Sequence, residues 1–277
     1  MVGGESTQTQ TEVSMAAEPV FAVQGFTVVN SLLNAWLAVF IIIVLAVALR
    51  AKIALIPKGL QNAMEMLLEG ALKFGDSIIG RREKTLKFLP IVLPLFVFIL
   101  INNWLGILPG VGSVGYLAEH SGKIAFVPFF RSGMADLNMT LALALMVIVA
   151  THIVGVLWTG AWRHLNRFVP VNLLLEIPRK LKEKDFTVLF VNPIKFFVGL
   201  IEVVGELAKA ASLSLRLFGN VLAGEILLAV MASIFAFVTP IPFLFLELFV
   251  GLIQAFIFAI LSLVFLNMMS HSHEEEH

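Results

Sequence analysis

The sequence predicts an all-α polytopic membrane protein with five membrane-crossing helices and one amphipathic surface helix. The last two crossings are expected to be long and tilted, as a hairpin. Three observations carry this reading. First, 59% of the 277 residues are hydrophobic and 14% charged, with a mean hydropathy of +0.95. A soluble domain carries about 45–50% apolar and about 25% charged residues. Second, five stretches reach the roughly 20 apolar residues that a hydrocarbon core about 30 Å thick requires. Third, Lys and Arg alternate between the intervening loops. Composition therefore argues against a soluble enzyme. Lys+Arg and Asp+Glu balance at 19 each, which leaves no basic nucleic-acid footprint. The chain has no Cys, so disulfides, thiolate metal sites and Cys nucleophiles are excluded.

Residues 1–27 read as an outer N-terminal segment, and 28–277 as one membrane domain. Met1 to Val20 carries three Glu and no Lys or Arg, so no cleaved signal peptide is expected. Val28–Leu49 is the first span. Gly59–Ile79 is the surface helix: Leu60, Met64, Leu67, Leu68 and Ala71 recur at helical spacing, with Gln61, Asn62, Glu65, Glu69, Lys73 and Asp76 opposite. A helix docked on a soluble partner would show the same pattern. Phe88–Leu108 is the second span, with Pro90 and Pro94 near its start. Leu137–Trp162 is the third, capped by Asp136. Residues 163–195 form a long basic, Pro-containing loop expected to hold surface structure. Ile194–Phe237 and Phe243–Met269 are the fourth and fifth spans, joined at Thr239-Pro240-Ile241-Pro242.

Basic residues orient these spans. Residues 1–30 hold no Lys or Arg, 50–87 hold eight, 109–136 hold only Lys123 and Arg131, and 163–195 hold seven. The N-terminus is then outside, and the C-terminal segment His271–His277 inside.

The fourth span is unusual. Ile194–Phe237 has no internal Pro, and one helix of that length is roughly 66 Å long, about twice the hydrocarbon thickness. It carries Glu202, Glu206, Lys209, Arg216 and Glu225. At 100° per residue, Glu202, Glu206, Lys209, Arg216 and Asn220 fall within about 40° of one line, with Leu213 and Gly224. Glu225 lies roughly opposite Arg216. The fifth span repeats Glu247, Gly251, Gln254, Phe258 and Ser262 at steps of four and three. A charge at bilayer centre costs at least about 2.5–3.5 kcal/mol, and Arg does not deprotonate. Arg216 therefore needs a carboxylate or a wet cavity. An internal ion pair with Glu225 or Glu247 would meet that need and merely lock two helices. Six ionisable groups on two spans point instead to an ion path. The small residues Ala208, Ala210, Ala211, Ser212, Ser214, Gly219, Ala223 and Gly224 would let another helix come close.

Ser212-Leu213-Ser214-Leu215-Arg216-Leu217-Phe218-Gly219-Asn220, followed by Ala223-Gly224-Glu225, closely resembles the signature of subunit a of the F-type ATP synthase. Gln254-Ala255-Phe256-Ile257-Phe258 with Leu261 resembles that family's last-helix motif. Pro57, Gln61-Asn62 and Glu65 resemble its surface-helix motif, and Asp136-Leu137-Asn138 the start of its hairpin span. The similarity runs from about Trp36 to Ser270. It implies a stator that works beside a rotating ring of c-subunits, with peripheral-stalk b subunits and lipid as further partners. It also implies two aqueous half-channels. Arg216 matches the family's essential arginine, the residue assigned to proton translocation. Asn220, Glu225, Glu247 and Gln254 match outer half-channel positions, and Glu202 an inner one. Glu206, Lys209 and Ser212 are further inner candidates, although Glu202 and Glu206 could equally be solvated at the interface. Many family members carry His at one of the positions of Glu225 and Glu247; Glu at both departs from a His-based relay. The resemblance implies H⁺ or Na⁺ as the translocated ion. A multi-pass bacterial inner-membrane protein is expected.

No Gly-rich phosphate loop is present, so no nucleotide, cofactor or metal is expected in this chain. His152 reads as a packed polar residue, and the tail of His271, His273 and Glu274 to His277 as solvated. Trp36, Trp104, Trp158 and Trp162 read as span packing or interface anchors. Two other classes compete. A self-contained channel or secondary transporter would be expected to show inverted repeats or broken helices, and neither is seen. A non-catalytic scaffold would show buried ion pairs alone.

Overall fold

The computed structural model describes residues 17–23, 25–51, 53–108, 110–120, 123–168, 188–235 and 238–271. Its helices are α1 (Asn30–Arg50), α2 (Leu60–Ile79), α3 (Arg82–Ile107), α4 (Leu137–Thr159), α5 (Ala161–Phe168), α6 (Val188–Ile234) and α7 (Pro240–His271). Five of them, α1, α3, α4, α6 and α7, are long and apolar enough to cross a membrane. The fold is that of an all-α polytopic membrane protein, and α2 is the expected amphipathic helix.

Helix ends depart from the apolar windows for local reasons. α3 begins at Arg82, six residues before Phe88, because Arg82-Glu83-Lys84 are good helix formers that a hydropathy window discards. Pro90 and Pro94 consequently lie inside the helix rather than near its start. α4 stops at Thr159: Gly160 takes φ +87°, and its N–H closes on Val156 O. Trp162 thus belongs to α5, not to the third span. α6 begins at Val188 and contains Pro193, so the expectation of a Pro-free helix from Ile194 is corrected. That proline stands in the second turn, where it removes one backbone bond near an end that already has unpaired N–H groups. α7 starts at Pro240, whose fixed φ suits the first helical position. The long basic loop lies mostly outside the described residues, as do residues 1–16 and the tail beyond His271.

Two short antiparallel hairpins were not foreseen: β1 (Pro19–Val23) with β2 (Phe26–Val29), and β3 (Gly115–His120) with β4 (Lys123–Pro128). They flank the same end of the bundle and are tied together by Tyr116, whose hydroxyl donates to Pro19 O at 2.7 Å.

α3 packs along α7, and α4 along both α6 and α7. The core between them is built from Leu95, Ile99, Leu143, Val147, Leu213, Leu217 and Phe258. A second cluster, Ile79, Phe88, Val92, Leu263 and Leu266, seats the end of α2 against α3 and α7. Lipid is as apolar as these side chains, so packing and interhelical hydrogen bonds must hold the helices together. The hairpin end supplies such bonds. Ser31 Oγ donates to Asp136 Oδ2 at 2.8 Å, and Asn34 Nδ2 to Asn102 Oδ1 at 3.1 Å, all four residues buried. Asp136 also caps α4 as expected, its Oδ1 accepting from the Asn138 N–H at 2.9 Å. α1 and α6 are the exceptions to this close packing: 17% and 11% of their most apolar windows are buried, against 39–44% for α3, α4 and α7.

Candidate functional site

The polar line on α6 runs along the border between its packed and open faces. Glu206, Leu213 and Gly224 sit on the buried edge, Glu202, Lys209 and Asn220 are half-buried, and Arg216 is exposed. The pattern follows from the helical period, because these residues fan across about 80° around one line. Ala210, Leu213, Ser214 and Leu217 face α4 and α7, and Ser214 Oγ lies 3.3 Å from Thr140 Oγ1. On the open face, Ala208, Ala211, Ser212, Gly219 and Ala223 flank Arg216. The Arg216 guanidinium donates to Ser212 Oγ at 3.0 Å, one turn back. Among the described residues no carboxylate pairs with it. The internal ion pair with Glu225 or Glu247 is therefore not formed.

Glu225 has another partner. Arg131, in the segment between β4 and the 3-10 turn Gly133–Ala135, reaches across with Nε at 2.9 Å and Nη2 at 2.8 Å, both to Glu225 Oε2. The Arg131 side chain is 11% exposed and that of Glu225 22%. Glu247, from α7, packs its carboxylate directly against Gly224, where a Cβ would overlap it. Glu225, Glu247 and Gln254 line one cavity of about 30 Å³ with Asn103 and Ser132. That is room for at least one water beside several polar partners. Asn103 Nδ2 donates to Gly251 O at 3.1 Å, which fixes α3 to α7 at the cavity wall.

Further along α6, Glu206 and Lys209 pair at 2.7 Å, with Lys209 Nζ 5.2 Å from the Phe265 ring centroid. Glu206 is buried. Glu202 is half-buried one turn before it.

A family model described as ATP synthase A chain matches residues 32–267. The chain belongs to the ATP synthase A chain family. Proteins called ATP synthase subunit a from Mycobacterium bovis, Campylobacter jejuni subsp. doylei and Geobacter sp. (strain M21) are 36%, 31% and 30% identical to it. The matches cover 91%, 83% and 88% of this chain, and 92%, 85% and 89% of those proteins.

In this ATP synthase A chain the sequence-predicted residues fall into three places. Glu225, Glu247 and Gln254 meet at the cavity; Glu206 pairs with Lys209; Arg216 stands on the open face. Ser212 is bonded to Arg216 rather than grouped with Glu206 and Lys209, and Asn220 does not line the cavity. The residues that sequence reasoning missed are Arg131, Asn103 and Ser132. In the sequence Arg131 is one of two basic residues in a loop, with nothing beside it to mark a partner. His152 Nδ1 lies 3.1 Å from His164 Nε2, with Phe168 edge-on to both rings. Gly160 makes this pair possible by turning α5 back onto the end of α4.

Proposed function

We propose that this chain is the stator proton-channel subunit of a rotary F-type ATP synthase, in which Arg216 faces the carboxylates of a c-subunit ring. The observation that carries the reading is Arg216 itself. It is a permanent cation in the middle of an apolar helix, it lies on an open face, and no carboxylate pairs with it among the described residues. At least about 2.5–3.5 kcal/mol is at stake for such a charge in hydrocarbon, so Arg216 needs a wet cavity or a carboxylate that this chain does not supply among its described residues. The small residues beside it suit close approach by a helix of that subunit.

The chemistry follows from the fixed charge. A protonated ring carboxyl that approaches Arg216 is favoured in its ionised form, so it releases its proton. Arg216 cannot itself take up that proton. It therefore separates two proton routes instead of joining them. The cavity of Glu225, Glu247 and Gln254, extended by Asn220, is the outer half-channel. Glu202, Glu206, Lys209 and Ser212 mark the inner one. The Lys and Arg alternation supports an orientation with the hairpin end outside and with α2 and α5 on the cytoplasmic side of a bacterial inner membrane. Peripheral-stalk b subunits hold the chain still while the ring turns. A scaffold held by buried ion pairs alone accounts for Arg131–Glu225 and Glu206–Lys209 but not for Arg216, an exposed cation without a carboxylate partner among the described residues.

The test is ATP-driven proton pumping by reconstituted holoenzyme. Arg216→Ala is expected to abolish it and to allow passive leak between the half-channels. Arg216→Lys is expected to fail as well, because a buried Lys can neutralise. Normal coupled pumping by Arg216→Ala would overturn the proposal.

A further inference from the structure

We propose that Arg131 is a positioning residue that holds Glu225 permanently ionised, so that Glu247 is the one carboxylate of the cavity that exchanges protons. This rests on the proton-channel reading and assigns different roles to two carboxylates that the sequence leaves equivalent.

Arg131 is built into the fold. The four residues after it, Ser132 to Ala135, are all buried. Ser132 Oγ accepts from the Met134 N–H at 3.3 Å and donates to Asn102 O at 3.5 Å. Gly106 and Gly133 let this segment lie directly against α3: a Cβ on Gly106 would meet the Ser132 side chain, and one on Gly133 would meet Asn102 Oδ1. The guanidinium is thereby delivered to Glu225 from a clamped backbone, and two of its N–H groups converge on one oxygen. Such charge-assisted bonds strengthen where water is scarce.

Glu247 is held differently. Its carboxylate rests on Gly224, and no described side chain hydrogen-bonds to it. Charge counting then separates the two groups. With Arg131 cationic and Glu225 anionic, these three groups sum to zero when Glu247 holds a proton and to one negative charge when it does not. Two nearby carboxylates do not both ionise cheaply, and the fixed cation decides which one stays charged. The proton thus enters on a Glu247 oxygen, leaves from that oxygen toward the ring, and Glu225 keeps its charge throughout.

In Glu225→Gln, the Arg131 guanidinium loses the Glu225 carboxylate and engages Glu247 instead, which locks that carboxylate in its charged form. In Arg131→Gln, Glu225 is stranded. Removing both partners of a buried pair is tolerated far better than removing one. The experiment is ATP-driven pumping by reconstituted holoenzyme, normalised to the amount of this subunit in the purified complex. Glu225→Gln and Arg131→Gln should each lower pumping by about tenfold or more, and the double variant should recover about tenfold over either single. Arg131→Lys should retain most pumping, since the cation remains. Glu247→Gln should stop pumping whether or not Arg131 is present. If Glu247→Gln stops pumping but the double variant is no better than Glu225→Gln, the role of Arg131 is refuted while the channel reading stands. If Glu247→Gln and Arg131→Gln both pump like the parent, the cavity is not on the proton path and both fall.

Discussion

Gly224 lacks a side chain because the Glu247 carboxylate fills the space that one would need. Glycine here serves close approach rather than a left-handed turn, since it sits inside α6. Gly224→Ala would push the carboxylate off the helix and out of line with Gln254. Overpacking of this kind typically costs about 1–3 kcal/mol. The expected outcome is an assembled complex whose ATP-driven pumping falls by about tenfold, because the misplaced group is on the proposed proton path. Unchanged pumping by Gly224→Ala would mean that the position of Glu247 does not matter. At this scale the sequence was informative where chemistry is local in the chain. Arg216 stands out because a cation among Leu215, Leu217 and Phe218 breaks the apolar pattern. Arg131 does not stand out, because its partner is 94 residues away and no helical period connects a loop to a helix. The Ser31–Asp136 bond spans 105 residues and was hidden for the same reason.

At the scale of elements, periodicity identified α2 and the buried stripe of α7, where Gly251, Gln254, Phe258 and Ser262 are all buried. It misjudged helix ends, because hydropathy windows register neither the helix-forming Arg82-Glu83-Lys84 nor the break at Gly160. The corner between α2 and α3 illustrates what sets such an end. Gly80 takes φ +75° and its N–H bonds Asp76 O at 2.8 Å, while Arg82 Nη1 donates to Asp76 Oδ2 at 2.7 Å. The hydrogen bond from Arg82 holds the Asp76 carboxyl below its usual range, with Thr85 adding to the effect. A carboxyl depressed in this way stabilises the fold above its unfolded pKa, about 3.9, and that stabilisation is lost as pH falls through the lower folded value. Amide exchange of the 74–86 segment in the holoenzyme should therefore be equally protected from pH 8 to pH 5, after correction for intrinsic rates. Protection should drop only at more acid pH. Asp76→Asn should already be looser at neutral pH. Loosening of the parent between pH 7 and pH 5 would contradict the assignment.

For the whole molecule, one fact organises the rest. α3, α4 and α7 bury their faces on one another, whereas α1 and α6 leave most of their surface open, and of these two only α6 carries a polar line. At 47 residues it is about 70 Å long, more than twice the hydrocarbon thickness, so it must tilt or extend beyond the core. Such a helix presents a long border to a neighbour. The proposed half-channels lie along that border on either side of Arg216, with the Glu225 cavity toward the hairpins and the Glu206–Lys209 pair toward the far end. Gly219 meets nothing within 4 Å at its Cβ position, so packing inside this chain does not require it. The central claim is that this open face of α6 meets a ring of carboxylate-bearing helices. Because the chain has no Cys, the most direct measurement is disulfide cross-linking in the holoenzyme. Single Cys residues along α6 would be paired with a Cys beside the c-subunit carboxylate. Cys at Ala208, Ser212, Gly219 and Ala223 should cross-link, with the yield peaking next to Arg216, and Cys at Ala210, Leu213 and Leu217 should not. Equal yields on both faces, or cross-links from the buried set alone, would contradict it.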